Sequence, residues 1–294
     1  MIGTVFGIGE VLWDLLPSGP QLGGAPANFA FHVAGLGIPA GVVTRIGQDA
    51  FGEAIRTRFS EMRLSGELIQ ADSTLPTGTV SVTLSPAGVP DYTIHEPAAW
   101  DRLAATPEAL SAMETAAAVC FGSLAQRSGD ARQAIQRLVT ATPCAAWRIF
   151  DVNLRQHYYD RAVVEASLEL ANVLKLNEDE VPLVTDLIGV TGDLDRCMEQ
   201  LAARFQLRVV VVTRGDAGSL LLSGRRWSRK PACAVDVQDS VGAGDAFTAA
   251  LCVGLLRGID LDIINEVANQ VAAVVCTSRG ATPSLPDTFK ARLA

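Results

Sequence analysis

The chain has 294 residues, 49% of them hydrophobic and 19% charged, which is enough apolar material for one large buried core. Its net charge of -8, without a long basic block, argues against nucleic acid or an anionic membrane surface as the main partner. No stretch is apolar for long enough to span a bilayer, and residues 1–10 lack the basic and apolar regions of a signal peptide, so a cytoplasmic protein is expected.

In chain order, Thr4 to Ile8 reads as a short buried strand and Pro26 to Leu36 as a helix, with Pro in its first turn and Gly37 beyond its end. Val42 to Arg45 is a strand and Phe51 to Met62 a helix. Thr79 to Leu84 then alternates strictly and is followed, after a Pro/Gly turn, by Tyr92 to His95. This predicts a half-exposed antiparallel hairpin standing off the main sheet. Val119 to Phe121 is a strand, Asp130 to Thr140 a helix, and Arg148 to Val152 and Val173 to Leu176 are strands. Arg208 to Thr213, with four consecutive valines, has the continuous β-branched character of a central parallel strand. Gly218 to Leu222 and Ala232 to Val237 read as antiparallel edge strands, and helices follow at about Gly244 to Leu256 and Leu261 to Thr277. The alternation predicts a three-layer α/β/α fold with a mostly parallel sheet and a small β flap. The six cysteines (Cys120, Cys144, Cys197, Cys233, Cys252 and Cys276) form no C-x-x-C pair, so free thiols in a reducing compartment are expected and structural zinc is not.

The most informative segment is Asp239-Ser240-Val241-Gly242-Ala243-Gly244-Asp245-Ala246-Phe247. A turn of small residues runs into an apolar helix, with a carboxylate at the junction. Amides at such a turn point outward at the positive end of the helix dipole and form an anion site. A carboxylate beside an anion site suits removal of a proton from a hydroxyl that attacks a phosphoryl group. Taken alone, Gly242-x-Gly244 also fits an ordinary tight connection, and Asp245 an ordinary helix N-terminal acid. The second glycine cluster, Gly23-Gly24-Ala25-Pro26-Ala27-Asn28, lets backbone approach a ligand, and Asn28 in the first helical turn offers a donor and an acceptor to a polyol. Asp14 is its natural partner, a carboxylate able to accept two vicinal hydroxyls; the plainer alternatives are a solvated Asn and a surface acid. Asp14, Asn153, Asn177, Thr213 and Asp245 all fall after predicted strands or at helix starts, where ligands of open α/β sheets bind. The three lysines, Lys175, Lys230 and Lys290, follow no Gly-rich loop, which excludes a P-loop. Gly7-x-Gly9 lacks the third glycine of a dinucleotide fingerprint.

Five ordered motifs make the chain resemble, over nearly its whole length, the ribokinase-like (PfkB-type) carbohydrate kinases, and among them the fructokinases. They are Gly23 to Asn28, Arg45 to Gly52, Asp151-Val152-Asn153-Leu154-Arg155, Asn177-Glu178-Asp179-Glu180 and Asp239 to Phe247. The resemblance implies one ribokinase-like domain over residues 1–294, with lid strands from about 11–22 and 77–100. It implies Asp245 as catalytic base, with Gly242, Ala243 and Gly244 as the anion hole. It places Asp14, Gly24, Asn28, Asn153 and Arg155 on the sugar. The segment Glu96 to Trp100 resembles a lid closing over the sugar, which makes Trp100 a substrate contact. Asn177, Thr213, Gly215, Gly218, Asn269 and Ala273 are implied at the nucleotide, and Glu180 at Mg²⁺ through water. Asp239, Val241, Val275, Ser278, Gly280 and Ser284 match a monovalent-cation site, for which K⁺ is the implied ion; Ser240 and Val241 depart from the frequent Thr-Thr.

The reaction implied is ATP-dependent phosphorylation of a sugar primary hydroxyl, with fructose 6-phosphate as product. Kinases of 2-keto-3-deoxygluconate, ribose or nucleosides are alternatives on the same scaffold. A catalytically silent sugar- or nucleotide-binding regulator and a dinucleotide-dependent oxidoreductase are alternatives of other classes. A flap with an exposed face also suggests a homodimer in which two lids cover each other.

Overall fold

The computed structural model of the protein describes residues 2–84 and 90–294. Its elements in chain order are β1 (Val5–Ile8), β2 (Leu12–Leu16), β3 (Gly19–Gly23), α1 (Ala25–Gly35), β4 (Ala40–Gly47), α2 (Ala50–Glu61), β5 (Ile69–Asp72), β6 (Gly78–Leu84) and β7 (Pro90–Ile94). After these come α3 (Pro107–Met113), β8 (Ala118–Phe121), α4 (Gly129–Ala141), β9 (Trp147–Asp151), α5 (Arg161–Leu170), β10 (Val173–Asn177), α6 (Glu180–Ile188) and α7 (Leu194–Arg204). The chain finishes with β11 (Val209–Thr213), β12 (Ser219–Ser223), β13 (Arg226–Lys230), α8 (Ala243–Leu256), α9 (Leu261–Cys276) and α10 (Thr288–Arg292).

Nine strands form the main sheet in the order β13-β12-β11-β10-β9-β8-β1-β4-β5. All pair in parallel except β12 with β11 and β13 with β12. The four valines of β11 show why the strand is apolar throughout. Side chains alternate across a strand, so Val210 and Val212 join the core beneath α3 to α7, while Val209 and Val211 join the core beneath α1, α2, α8 and α9. With both faces covered, no position is left for a polar residue. The helices start where short polar side chains cap them: Asp49 accepts from the Gly52 amide at 2.8 Å, and Asp160 from Val163 at 2.8 Å. From β1 the chain moves one way along the sheet to β4 and β5, then returns to β8 on the other side of β1. The crevice beyond the carboxyl ends of β1 and β8 is therefore a topological switch point.

A second sheet, β3-β2-β6-β7, forms the flap, with β2 and β6 parallel and the other pairs antiparallel. The predicted hairpin is β6 and β7; its turn lies outside the described residues. The strand expected at Ala232 to Val237 does not form. The segment is largely exposed and unpaired with the sheet, because Pro231 has no N–H to continue a ladder. The edge is β13, joined to β12 by the two-residue loop Gly224-Arg225, and its charged composition hid it in the sequence. Asp14 lies within β2 of the flap rather than after a strand of the main sheet.

Helix α1 sits close on β1 because Gly7 has no side chain: a Cβ there would collide with the backbone oxygen of Pro26. Gly7→Ala is predicted to lower stability by about 1–3 kcal/mol through this overpacking, read as a lower urea midpoint at unchanged slope. An unchanged midpoint would contradict the close approach.

Candidate active site

Helix α8 begins at a left-handed residue, Gly242, with φ of 79°. Its position is fixed from below as well, since a Cβ on Gly242 would lie 2.5 Å from the Ala281 side chain. The amides of the first helical turn have no partner within the helix, so the N-terminus of α8 presents donors and a positive dipole. Asp245 stands in that turn, half-buried, and accepts a 2.8 Å hydrogen bond from the Asn28 side-chain nitrogen of α1. Two helices 217 residues apart in sequence thus meet at one carboxylate. Burial, then the charge of Asp151, push the Asp245 carboxyl up to about 6, while the Asn28 bond, Lys175 and Arg155 oppose them. The crevice around it is lined by Ala25, Pro26, Phe29, Cys120, Phe121, Gly122, Asp151 and Asp245, at the switch point.

The floor of the site holds residues that sequence reasoning did not assign. Asp151, at the end of β9, pairs with the buried Lys175 ammonium of β10 at 3.0 Å. Its other oxygen lies 2.8 Å from the Thr248 hydroxyl of α8. The Lys175 nitrogen lies 3.1 Å from where a Cβ of Gly244 would stand, so Gly244 leaves room for the ammonium under the helix terminus. A signal existed: Lys175 is one of three lysines in the chain and interrupts the apolar run Val173-Leu174-Lys175-Leu176. Glu10, after β1, is also buried, and burial raises its carboxyl to about 7.

On the flap side, Asp14 rises to about 6 through burial and, secondarily, the charge of Asp239, against the opposing charge of Arg155. Its carboxylate lies against Gly23, where a Cβ would fall 2.6 Å from Oδ2. Gly24 is the N-cap of α1. Exposed Arg155 acts on Glu10, Asp14 and Asp245 together, so its charge joins the flap to the main sheet. Asn153 adopts a left-handed conformation (φ 46°), and its carbonyl accepts from the Ser123 hydroxyl at 3.3 Å. Trp100, expected against the sugar, is wholly buried at the base of the flap, with Gly78 against its indole and the Arg127 guanidinium 3.8 Å above the ring.

The residues expected at the nucleotide follow the next strand ends. Asn177 ends β10 and Thr213 ends β11, and Gly215 and Gly218 bracket the turn before β12. Glu180 and Asn177 form a reciprocal brace: the Asn177 amide donates to Glu180 Oε2 at 2.8 Å, and the Glu180 amide to Asn177 Oδ1 at 2.9 Å. Glu180 Oε1 accepts from the Leu154 amide at 2.8 Å, which ties the Asn153–Arg155 loop to α6. Asn269, expected at the nucleotide, lies on α9. It is buried, and its side-chain nitrogen is held by Ser219 at 2.6 Å and the Asn265 carbonyl at 2.8 Å, so it braces α9 against β12. Ala273, one turn further along α9, is half-buried. In the predicted cation loop, the two Asp239 oxygens accept from the Val241 and Gly280 amides, each at 3.0 Å. Val275 and Ser278 lie at the end of α9 and just beyond, linked by a 3.0 Å backbone bond; Ser284 is exposed. His32 of α1 is buried and lies 2.9 Å from the Ala281 carbonyl; burial lowers it to about 4.

Fructokinase of Klebsiella pneumoniae is 30% identical over 97% of each chain. A crystal structure of an uncharacterized sugar kinase of Pyrococcus horikoshii in complex with ATP superimposes with a TM-score of 0.84 at 28% identity, covering 99% of this chain and 100% of that one. Fructokinase of Vibrio cholerae O395, in its fructose-, ADP- and calcium-bound form, gives 0.79 at 26% identity over 100% and 99%. A double mutant of the same enzyme, at 25% identity, holds fructose, ADP and a potassium ion. Residues 20–288 match the family described as pfkB family carbohydrate kinase. A match of that extent, on a fold with a glycine-led helix N-terminus and an acid at the switch point, establishes that this chain belongs to the pfkB family of carbohydrate kinases.

Proposed function

We propose that this carbohydrate kinase transfers the γ-phosphoryl group of ATP to the C6 hydroxyl of fructose, with Asp245 as general base. The observation that carries the reading is the 2.8 Å bond from Asn28 to Asp245 at the N-terminus of α8, which brings a carboxylate, a helix N-terminus and a side-chain amide to one point. Asn28, Asp14 and Gly24 hold the sugar from α1 and the flap, with Asn153 and Arg155 completing the contact. Asp245 takes the hydroxyl proton as the oxygen attacks. The amides of Ala243, Gly244 and Asp245 and the helix dipole favour the charge on the migrating phosphoryl group. Thr213, Gly215, Gly218 and Ala273 line the nucleotide.

The donor set fits magnesium delivered with the nucleotide. Among the described residues no group of three or more His, Cys, Asp and Glu side chains could hold a metal ion, while Asn177 and Glu180 form a braced polar pair at the end of β10. These two would orient its waters, and the bound ion would neutralise phosphate oxygens. The Asp239 tie to Gly280 gives the carbonyls of Val241, Val275, Ser278, Gly280 and Ser284 a fixed frame for a potassium ion. The potassium-bound relative supports that assignment. Free cysteines fit a reducing cytoplasm.

The test is coupled ADP release over a panel of fructose, ribose, 2-keto-3-deoxygluconate and nucleosides, with and without K⁺. Fructose should give the highest kcat/KM, and Asp245→Asn should lower kcat by about 10²–10⁴-fold while the fold is retained. Full activity of Asp245→Asn, or turnover confined to another substrate, would overturn the reading.

The base works only when ionised, and its carboxyl stands near 6. Activity should therefore fall as pH drops through about 6 and be fully present above about 7. Asp14 titrates in the same range, so the limb belongs to the cluster. A kcat/KM profile still flat at about pH 5 would contradict this.

Two flaps covering one another would make the molecule a homodimer. Light scattering at micromolar concentration should give twice the chain mass; monomer alone would remove this proposal.

A further inference from the structure

We infer that Lys175 is a positioning residue, whose buried ammonium, paired with Asp151 beneath Gly244, holds Asp245 as the carboxylate and backs the anion hole. The inference rests on the reading of Asp245 as the base.

A lysine under a helix N-terminus is electrostatically misplaced, since cations are favoured at the opposite end. Leu174 and Leu176 on β10 are buried on the opposite face of the sheet, and the residue paired with Lys175 on β11, Val211, is buried and apolar, so the lysine is a charge among apolar neighbours. Yet the ammonium is buried, reaches within 3.1 Å of the Cβ position of Gly244, and bonds Asp151 at 3.0 Å. Asp151 in turn reaches Thr248, one helical turn beyond Gly244, whose hydroxyl also bonds the Gly244 carbonyl at 2.9 Å. The pair is thus bound into the first turn of the helix that carries the base.

The charges around Asp245 explain what the pair does. Asp151 on β9 and Glu10 after β1 repel its ionised form, and Arg155 and Lys175 attract it. Cys120 on β8 is a buried thiol raised well above its ordinary value, so it stays neutral. From α1, Asn28 contributes a hydrogen bond, and His32 is turned to Ala281. The acids of α9 face elsewhere: Asp262 pairs with Arg226 and Glu266 with Arg292. Glu180 draws on the same lysine. Lys175 is therefore the buried positive charge set against this group of acids, and it is a fixed one. When the phosphoryl group arrives, the ammonium already stands on the far side of the amides that receive it, and no reorganisation is needed.

The test is the pH profile of kcat/KM for three variants. In Lys175→Met the acid limb should move to higher pH, with activity at about pH 6 at least about tenfold below wild type and the gap narrowing towards about pH 9. In Asp151→Asn, which removes the repelling acid, the limb should move to lower pH. The double variant keeps the site neutral if Lys175→Met alone fails to fold, and its limb should return towards wild type. Asp14 is raised by burial, with Arg155 and Asp239 as its charged neighbours, so neither Lys175 nor Asp151 is among the charges acting on it. A lysine that only supports the fold would depress activity equally at every pH, and unmoved limbs in the variants would overturn the inference. Asp245→Asn in the same assay separates the two claims: if it is inactive while the limbs stay fixed, only the role of Lys175 fails. If it is active, the reading beneath it fails.

Discussion

A carboxylate buried among other carboxylates takes a proton unless fixed positive charge opposes it, and Asp245 is placed under both pressures at once. Burial and Asp151 push towards the acid; the N-terminus of α8, Asn28, Lys175 and Arg155 push towards the base. The balance leaves the group near 6, close to neutrality, where a base is both ionised and strong enough to accept a proton. In the proposed reaction the same helix terminus receives the phosphoryl group. A helix terminus cannot attract an anion and a proton acceptor separately, so one arrangement serves both.

The fold exists, in functional terms, to bring these groups to one edge of a sheet. β1 and β8 open a crevice at the reversal of strand order. β9 delivers Asp151, β10 delivers Lys175 and Asn177, and β11 delivers Thr213. None of these residues could hold its place from a loop alone. Each sits at or near the end of a parallel strand whose two faces are buried, so its position is fixed by the whole sheet. Helices α1 and α8 then close over the crevice, and Gly7 and Gly242 set how tightly they approach. The flap adds Asp14 through a separate four-stranded sheet. Its base is held by buried apolar residues, among them Leu12, Val80, Ile94, Trp100 and Leu103, together with interlocking polar contacts. Arg127 donates to both oxygens of Asp101 at 2.8 Å and lies over the Trp100 and Tyr158 rings.

What could be read in advance follows the range of the interaction. The glycine-rich turn and Asp245 are local features, and a turn of small residues before an apolar helix carries its chemistry in a few consecutive positions. The valines of β11 announce a covered strand because burial on both faces constrains every residue. Lys175 stands out in the sequence as a charge within an apolar run, but its role is not legible there because its partner, Asp151, lies 24 residues away on the neighbouring strand. Trp100 and Asn269 sit in motif segments, yet their side chains are buried, and a motif does not report side-chain direction. The edge strand was misplaced because β13 is charged and Ala232 to Val237 is apolar. At an edge, pairing is decided by where Pro231 interrupts the ladder, not by hydropathy.

The most direct measurement of the central claim is a crystal structure of the protein with fructose and a non-hydrolysable ATP analogue. The account predicts the C6 hydroxyl within hydrogen-bond reach of Asp245, about 2.6–3.2 Å, and the terminal phosphate against the amides of Ala243 to Asp245. A sugar held with its C6 hydroxyl turned away from Asp245, or a nucleotide whose phosphates leave the end of α8 untouched, would contradict it.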